Sequence, residues 1–200
     1  MKPQTFMKSN HRVSKWLASF MMLMFSVLQY SDGYADEQHE TEFVVAYAQD
    51  TMANDWRAAQ VRQLQEEFAK HPGIKFIYTD AGGSTAKQIR DIEDLVYHKV
   101  DLLMTSPRDA RLMTPVISKV YKSGVPVLLI TRNILVNDFT SFVAPDDKDI
   151  AKQAAAYIAT KLDGQGSILM FKGVPTATTA IARTQGFVDE VKKYPGLKIV

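Results

Sequence analysis

Residues 43–64 decide the fold: Phe43-Val44-Val45-Ala46-Tyr47-Ala48, then Gln49-Asp50-Thr51-Met52-Ala53-Asn54-Asp55, then Trp56-Arg57-Ala58-Ala59-Gln60 and on to Leu64. The first run is short and rich in β-branched and aromatic residues, whereas Trp56, Ala59, Gln60, Gln63 and Leu64 recur at helical spacing. The order is therefore strand, loop, helix. Trp56 and Arg57 fall at a helix entrance just beyond the carboxyl end of a strand, the edge at which open α/β sheets bind ligands. An indole beside a guanidinium sets an apolar face next to a fork of donors, which suits a polyhydroxylated ring. The residue types alone serve equally well a Trp56 packed as core and an Arg57 solvated in the first helical turn.

The same alternation continues outward. His71-Pro72-Gly73 stops the helix, and residues 74–79 predict the next strand. Residues 80–84 turn into a helix with Ser84 as cap and Ile89, Ile92, Leu95 and Val96 as its buried stripe. Residues 100–105 predict a third strand, followed by a helix with Leu112, Val116, Ile117 and Val120 on one face, closed by Gly124. Residues 125–130 are almost wholly apolar, as an interior parallel strand covered on both faces should be. Strands alternating with helices give right-handed βαβ units and a parallel sheet.

The pattern then restarts. A short extended segment at 141–144 leads through Pro145-Asp146-Asp147 into an alanine-rich helix over 148–162. A strand over 167–171, a loop over 173–179, a helix over 180–193 and a beginning strand at 197–200 follow. A chain ending on an incipient strand without its covering helix is expected to be a truncated second lobe. That lobe would leave apolar sheet surface exposed and solubility poor.

The totals are those of a globular protein: 200 residues, 46% hydrophobic and 23% charged. Of 24 Lys and Arg and 22 Asp and Glu, the first 35 residues hold Lys2, Lys8, Arg12, Lys15 and Asp32, which leaves 20 basic against 21 acidic groups. No basic stripe points to nucleic acid. With no cysteine, a thiolate nucleophile, a zinc knuckle and a lipid anchor on an N-terminal cysteine are excluded. Residues 1–15 are polar and basic, residues 16–28 form a hydrophobic block, and Gly33-Tyr34-Ala35 places small residues at the cleavage-defining positions. Residues 1–35 read as a secretory signal peptide, too short in its apolar block for a spanning helix.

No catalytic constellation emerges. His11, His39, His71 and His98 have no metal-ligand spacing, and no serine sits in a Gly-x-Ser-x-Gly elbow. Gly82-Gly83-Ser84 offers an anion cradle or simply a helix entry turn. What accumulates is polar residues on successive strand-end loops: Asn54, Asp55, Trp56 and Arg57; Arg108 and Asp109; Thr131, Arg132 and Asn133; and Arg183. Converging arginines have three explanations: an anionic ligand, fixed carboxylate partners, or hydroxyl recognition by charge-assisted hydrogen bonds. For Asp55 and Asp109, a helix cap is the better reading.

On Asp55-Trp56-Arg57-Ala58-Ala59, the 125–132 strand and its Thr131-Arg132 exit, Ala144-Pro145-Asp146-Asp147, and Ala182-Arg183-Thr184-Gln185-Gly186-Phe187, the chain resembles a known family. These are the periplasmic sugar-binding proteins of bacterial ABC transporters, of the ribose- and galactofuranose-binding type. The resemblance runs from about residue 42 to 200. It implies the α/β periplasmic binding protein type 1 fold: two Rossmann-like parallel-sheet lobes with a hinge, one over 36–145 and a partial one over 146–200.

The resemblance further implies a monomeric, non-enzymatic periplasmic protein that closes on a carbohydrate, without cofactor or metal, and presents it to a membrane permease. Asn54, Trp56, Arg57, Arg132 and Arg183 become ligand contacts, with Trp56 stacking on the sugar face. Thr131 stands where the family has an aspartate, so either the preferred sugar differs or the ligand carries its own negative charge. A periplasmic sensor coupled to a membrane kinase or chemoreceptor is the second reading. A repressor would need a DNA-binding head where the signal peptide lies, an enzyme would need a phosphate loop or acid pair, and a truncated gene product would be a remnant.

Overall fold

A computed structural model describes residues 42–200; the expected signal peptide lies outside the described residues. The first half is built on β1 (Phe43–Gln49), α1 (Asp55–Phe68), β2 (Ile74–Asp80), α2 (Thr85–Tyr97), β3 (Leu102–Thr105), α3 (Ala110–Lys122), β4 (Val127–Ile130) and β5 (Ser141–Val143). The strands form one parallel sheet in the order β2-β1-β3-β4-β5. Side chains alternate across it as the pleat requires. Ala46 and Ala48 face a core with Ile92, Leu103, Met113, Ile117 and Leu129, while Val45 and Tyr47 face the other side with Val61 and Met104.

Register makes the carboxyl ends level, with Ala48 beside Thr105, Thr105 beside Leu129, and Gln49 beside Asp80. Every loop leaving these ends therefore opens on one edge, where ligands bind in such sheets.

The remainder comprises α4 (Asp147–Lys161), β6 (Gln165–Ile168), α5 (Thr178–Val191) and β7 (Gly196–Ile199). β6 and β7 pair in parallel as a separate two-stranded sheet. On α4, Ala151, Ala155 and Ala159 recur every four residues and are buried, giving a smooth stripe for close packing. Gly186 on α5 completes the fit, because a Cβ there would strike the Lys148 carbonyl of α4.

Two expectations are corrected. Leu112 is not on the buried face of α3 but 56% exposed, and Met113 is fully buried in its place. Met113 stands three, four and seven residues before Val116, Ile117 and Val120, which is the spacing of one helical face, and Leu112 is rotated off it. The strand expected at 167–171 is instead Gln165–Ile168. It starts at the end of the α4 turn and stops where its pairing with β7 ends, at Ile168 beside Ile199, leaving Leu169 and Phe171 exposed. Urea unfolding tests the α3 correction: Met113→Ala is expected to cost about 2–4 kcal/mol, as large-to-small core changes do, and Leu112→Ala less than about 1 kcal/mol.

Candidate functional site

The site begins where β1 ends. Gln49 and Asp50 lie at the carboxyl edge of the sheet, between the ends of β2 and β3, and are both fully buried. Three arginines, one from α1 and two from the loops after β3 and β4, meet the Asp50 carboxylate. Arg132, just after β4, donates from Nη1 to Oδ2 at 2.7 Å. Arg57, in the first turn of α1, places Nε 3.5 Å from Oδ1, and Arg108, after β3, places Nη1 3.7 Å from Oδ2. One buried negative charge thus stands against three positive ones. Asp50 Oδ1 and Arg132 Nε have no hydrogen-bond partner among the described residues.

Arg57 is further tied down. Its Nη1 donates to Ser106 Oγ at 2.8 Å, to Gln60 Oε1 at 3.2 Å and to Thr131 Oγ1 at 3.4 Å. Tyr47 donates its phenol to the same Gln60 oxygen at 2.8 Å. Burial, followed by repulsion from Arg132, lowers the Arg57 pKa, and Asp50 pulls the other way. Burial also pushes the Tyr47 phenol up, so it stays a neutral donor.

Thr131 turns the chain out of β4. The Arg132 amide donates to the Ile130 carbonyl at 2.8 Å across a three-residue turn, with Thr131 at φ +62°. A β-branched residue in that region is strained, and such strain collects at functional sites. The turn is over-determined: Thr131 N donates to the Val143 carbonyl at 2.8 Å, and its hydroxyl bonds Ser106 Oγ at 3.1 Å. Its effect is to aim Arg132 back over the sheet edge.

A cavity of about 930 Å³ lies above this edge, within the range of small-molecule sites. Asn54, Trp56, Arg57, Thr131, Arg132 and Arg183, the six residues singled out from the sequence, all line it. Trp56 is 70% exposed, so it is not core; Arg57 is 6% exposed, so it is not solvated. On α5, Arg183 donates from Nε to Asp147 Oδ1 at 2.7 Å, and its Nη2 is 2.7 Å from the same oxygen. Fixed carboxylate partners therefore hold the arginines, Asp50 for three and Asp147 for one.

The remaining candidates lie elsewhere. Asp109 caps α3, accepting from the Leu112 amide at 2.9 Å. The cap of α1 is Asn54 rather than Asp55: Asn54 Oδ1 accepts from the Arg57 amide at 3.0 Å. That leaves the Asn54 amide nitrogen as its donor to the cavity. The Gly82-Gly83 turn is no anion cradle, because the Gly82 amide donates to Asp80 and the Gly83 amide to the Asp50 carbonyl, each at 2.8 Å. Asp50, Asp147, Ser106, Phe171 and Lys172 were not anticipated; the last two line the cavity from the loop after β6.

The chain belongs to the periplasmic binding protein domain family, whose sequence profile matches residues 45–200. Its fold is that of the type 1 members, as expected. The ribose import binding protein of Bacillus subtilis is 31% identical over 149 residues, covering 74% of this chain and 48% of its own length. The galactofuranose-binding protein of Escherichia coli is 26% identical over 160 residues, covering 78% and 50%. Among solved structures, a fructose-binding periplasmic domain of a hybrid two-component system matches with TM-score 0.77 and 31% identity, over 79% of this chain and 52% of its own. A galactofuranose-binding protein matches with TM-score 0.75 and 25% identity, over 79% and 54%. The chain spans about half the length of these relatives.

Removing the shared carboxylate tests its structural role. Asp50→Asn strips three clustered guanidinium groups of their counter-charge and is expected to cost about 3–5 kcal/mol in urea unfolding. A loss under about 1 kcal/mol would mean that solvent already compensates the arginines.

Proposed function

We propose that this chain is the ligand-capturing part of a periplasmic solute-binding protein that takes a sugar between two lobes, 36–145 and 146–200, and delivers it to an ABC transporter permease. On this reading residues 1–35 direct export and are removed, and the protein acts as a monomer without chemistry on its ligand. The observation that carries it is the cavity at the sheet edge, with six expected residues along it and an exposed indole at its mouth. Trp56 offers a ring face to the apolar side of a pyranose or furanose, and Phe171, 89% exposed, offers a second apolar surface along the same cavity. Arg57, Arg132 and the Asn54 amide donate to ring and hydroxyl oxygens. Donors held in place before the ligand arrives reject a sugar lacking the matching oxygen, because a buried unpaired donor costs about 1–3 kcal/mol.

A second reading keeps the binding and changes the listener: a periplasmic sensor that presents its bound state to a membrane kinase. It is favoured by the fructose-binding domain of a two-component system among the structural relatives.

A carbohydrate panel tests the binding common to both. A ligand that binds only the native state raises the melting temperature by mass action. At least one pentose or hexose derivative is expected to do so, and Trp56→Ala is expected to weaken that sugar by about tenfold or more. Because Trp56 is exposed, the same variant should melt within a few degrees of the parent, which separates lost binding from lost folding.

A further inference from the structure

The charges along the cavity do not suit a neutral sugar. Among the described residues Arg57, Arg132, Lys172 and Arg183 line it, and no Asp or Glu does. The carboxylates that pair with these arginines, Asp50 and Asp147, are not among the lining residues. Asp50 is wholly buried and shared by three guanidinium groups, two more than it neutralises. Asp147 is buried and engaged by Arg183. Lys172 makes no ion pair among the described residues and adds its charge from the loop after β6.

Hydrogen-bond capacity points the same way. Guanidinium and ammonium groups donate and never accept. A neutral monosaccharide presents several O–H donors, each of which needs an acceptor once water leaves. The side-chain acceptors along the cavity are the hydroxyls of Thr131, Thr179 and Thr184 and the Asn54 oxygen, which the Arg57 amide already occupies. Donors are in surplus, and the buried Arg132 Nε is one with no partner among the described residues. Enclosing a neutral ligand here would desolvate excess positive charge without compensation, which disfavours the bound state. An anionic group supplies the missing charge and the missing acceptors together.

Resting on the sugar-binding reading above, we propose that the ligand is a monosaccharide carrying a negatively charged group, a sugar carboxylate or a sugar phosphate. Its anionic end lies among Arg132, Lys172 and Arg183, and its ring lies against Trp56. Arg132 is held in place by its 2.7 Å contact to Asp50, and with Arg57 and Arg108 on the same carboxylate the cluster keeps a surplus of positive charge.

Titration calorimetry on the 200-residue chain tests this with D-glucose, D-glucuronate, D-glucose 6-phosphate, D-ribose and D-ribose 5-phosphate, and with acetate and inorganic phosphate as controls. A charged sugar is expected to bind at least about tenfold tighter than its neutral parent, as a charge-assisted contact warrants. The advantage should shrink as ionic strength rises from about 0.02 to 0.5 M. Lys172→Gln, in an exposed loop, should weaken the charged sugar by more than it weakens the neutral one, and Lys172→Arg should restore the difference. A phosphate ligand is distinguished from a carboxylate by pH: its affinity rises as pH passes its second pKa of about 6, while a uronate's does not.

Neutral parents binding as tightly as their charged derivatives would overturn the charge preference and leave the sugar-binding reading standing. Binding of acetate or phosphate with no gain from the sugar ring would also overturn the proposal, marking a general anion site. A folded chain, with a cooperative circular-dichroism melt, that binds none of the carbohydrates would overturn both.

Discussion

One buried carboxylate organises this sheet edge. Asp50 joins loops that leave β1, β3 and β4 and the first turn of α1, because its arginine partners come from positions 57, 108 and 132. Long cationic side chains carry much rotamer entropy, and holding them needs either packing or a counter-charge. In the interior a counter-charge acts far more strongly than at the surface, while leaving any member unpaired costs correspondingly more. The edge is therefore ordered as a unit. The Arg57 contacts to Gln60, Ser106 and Thr131 extend that order into helix and loop.

The strand–helix order and the parallel sheet were legible because each signal was local. The short β-branched and aromatic run at residues 43–48 and the helical spacing that follows need no knowledge of partners. Leu112 and Met113 show the limit of such reading: Leu112 keeps four- and eight-residue spacing to Val116 and Val120, which masks that the centre of the buried face, shared with Ile117, runs through Met113. The end of β6 was misjudged because the apolar run continues to Phe171, whereas pairing stops at Ile168 with the end of its partner.

At the site, Asn54, Trp56, Arg57, Thr131, Arg132 and Arg183 could be picked out because each follows a strand end and bears a recognisable donor or ring. Asp50 could not. A lone aspartate after an apolar run reads as a turn residue, and its role depends on a side chain 82 positions away. The need for fixed carboxylates was visible in the count of arginines, but which acid answered it was set by register. Lys172 and Phe171 were hidden by the misplaced strand end.

The close crossing of α4 and α5 at Gly186 has a mechanical consequence. With no side chain between the Gly186 backbone and the Lys148 carbonyl, the two helices have little room to slide, so Asp147 at the start of α4 and Arg183 on α5 move as one body. Any displacement of that wall carries the Arg183 guanidinium with its orientation already set. The entropy of fixing it is spent during folding and is not charged against the encounter with a ligand.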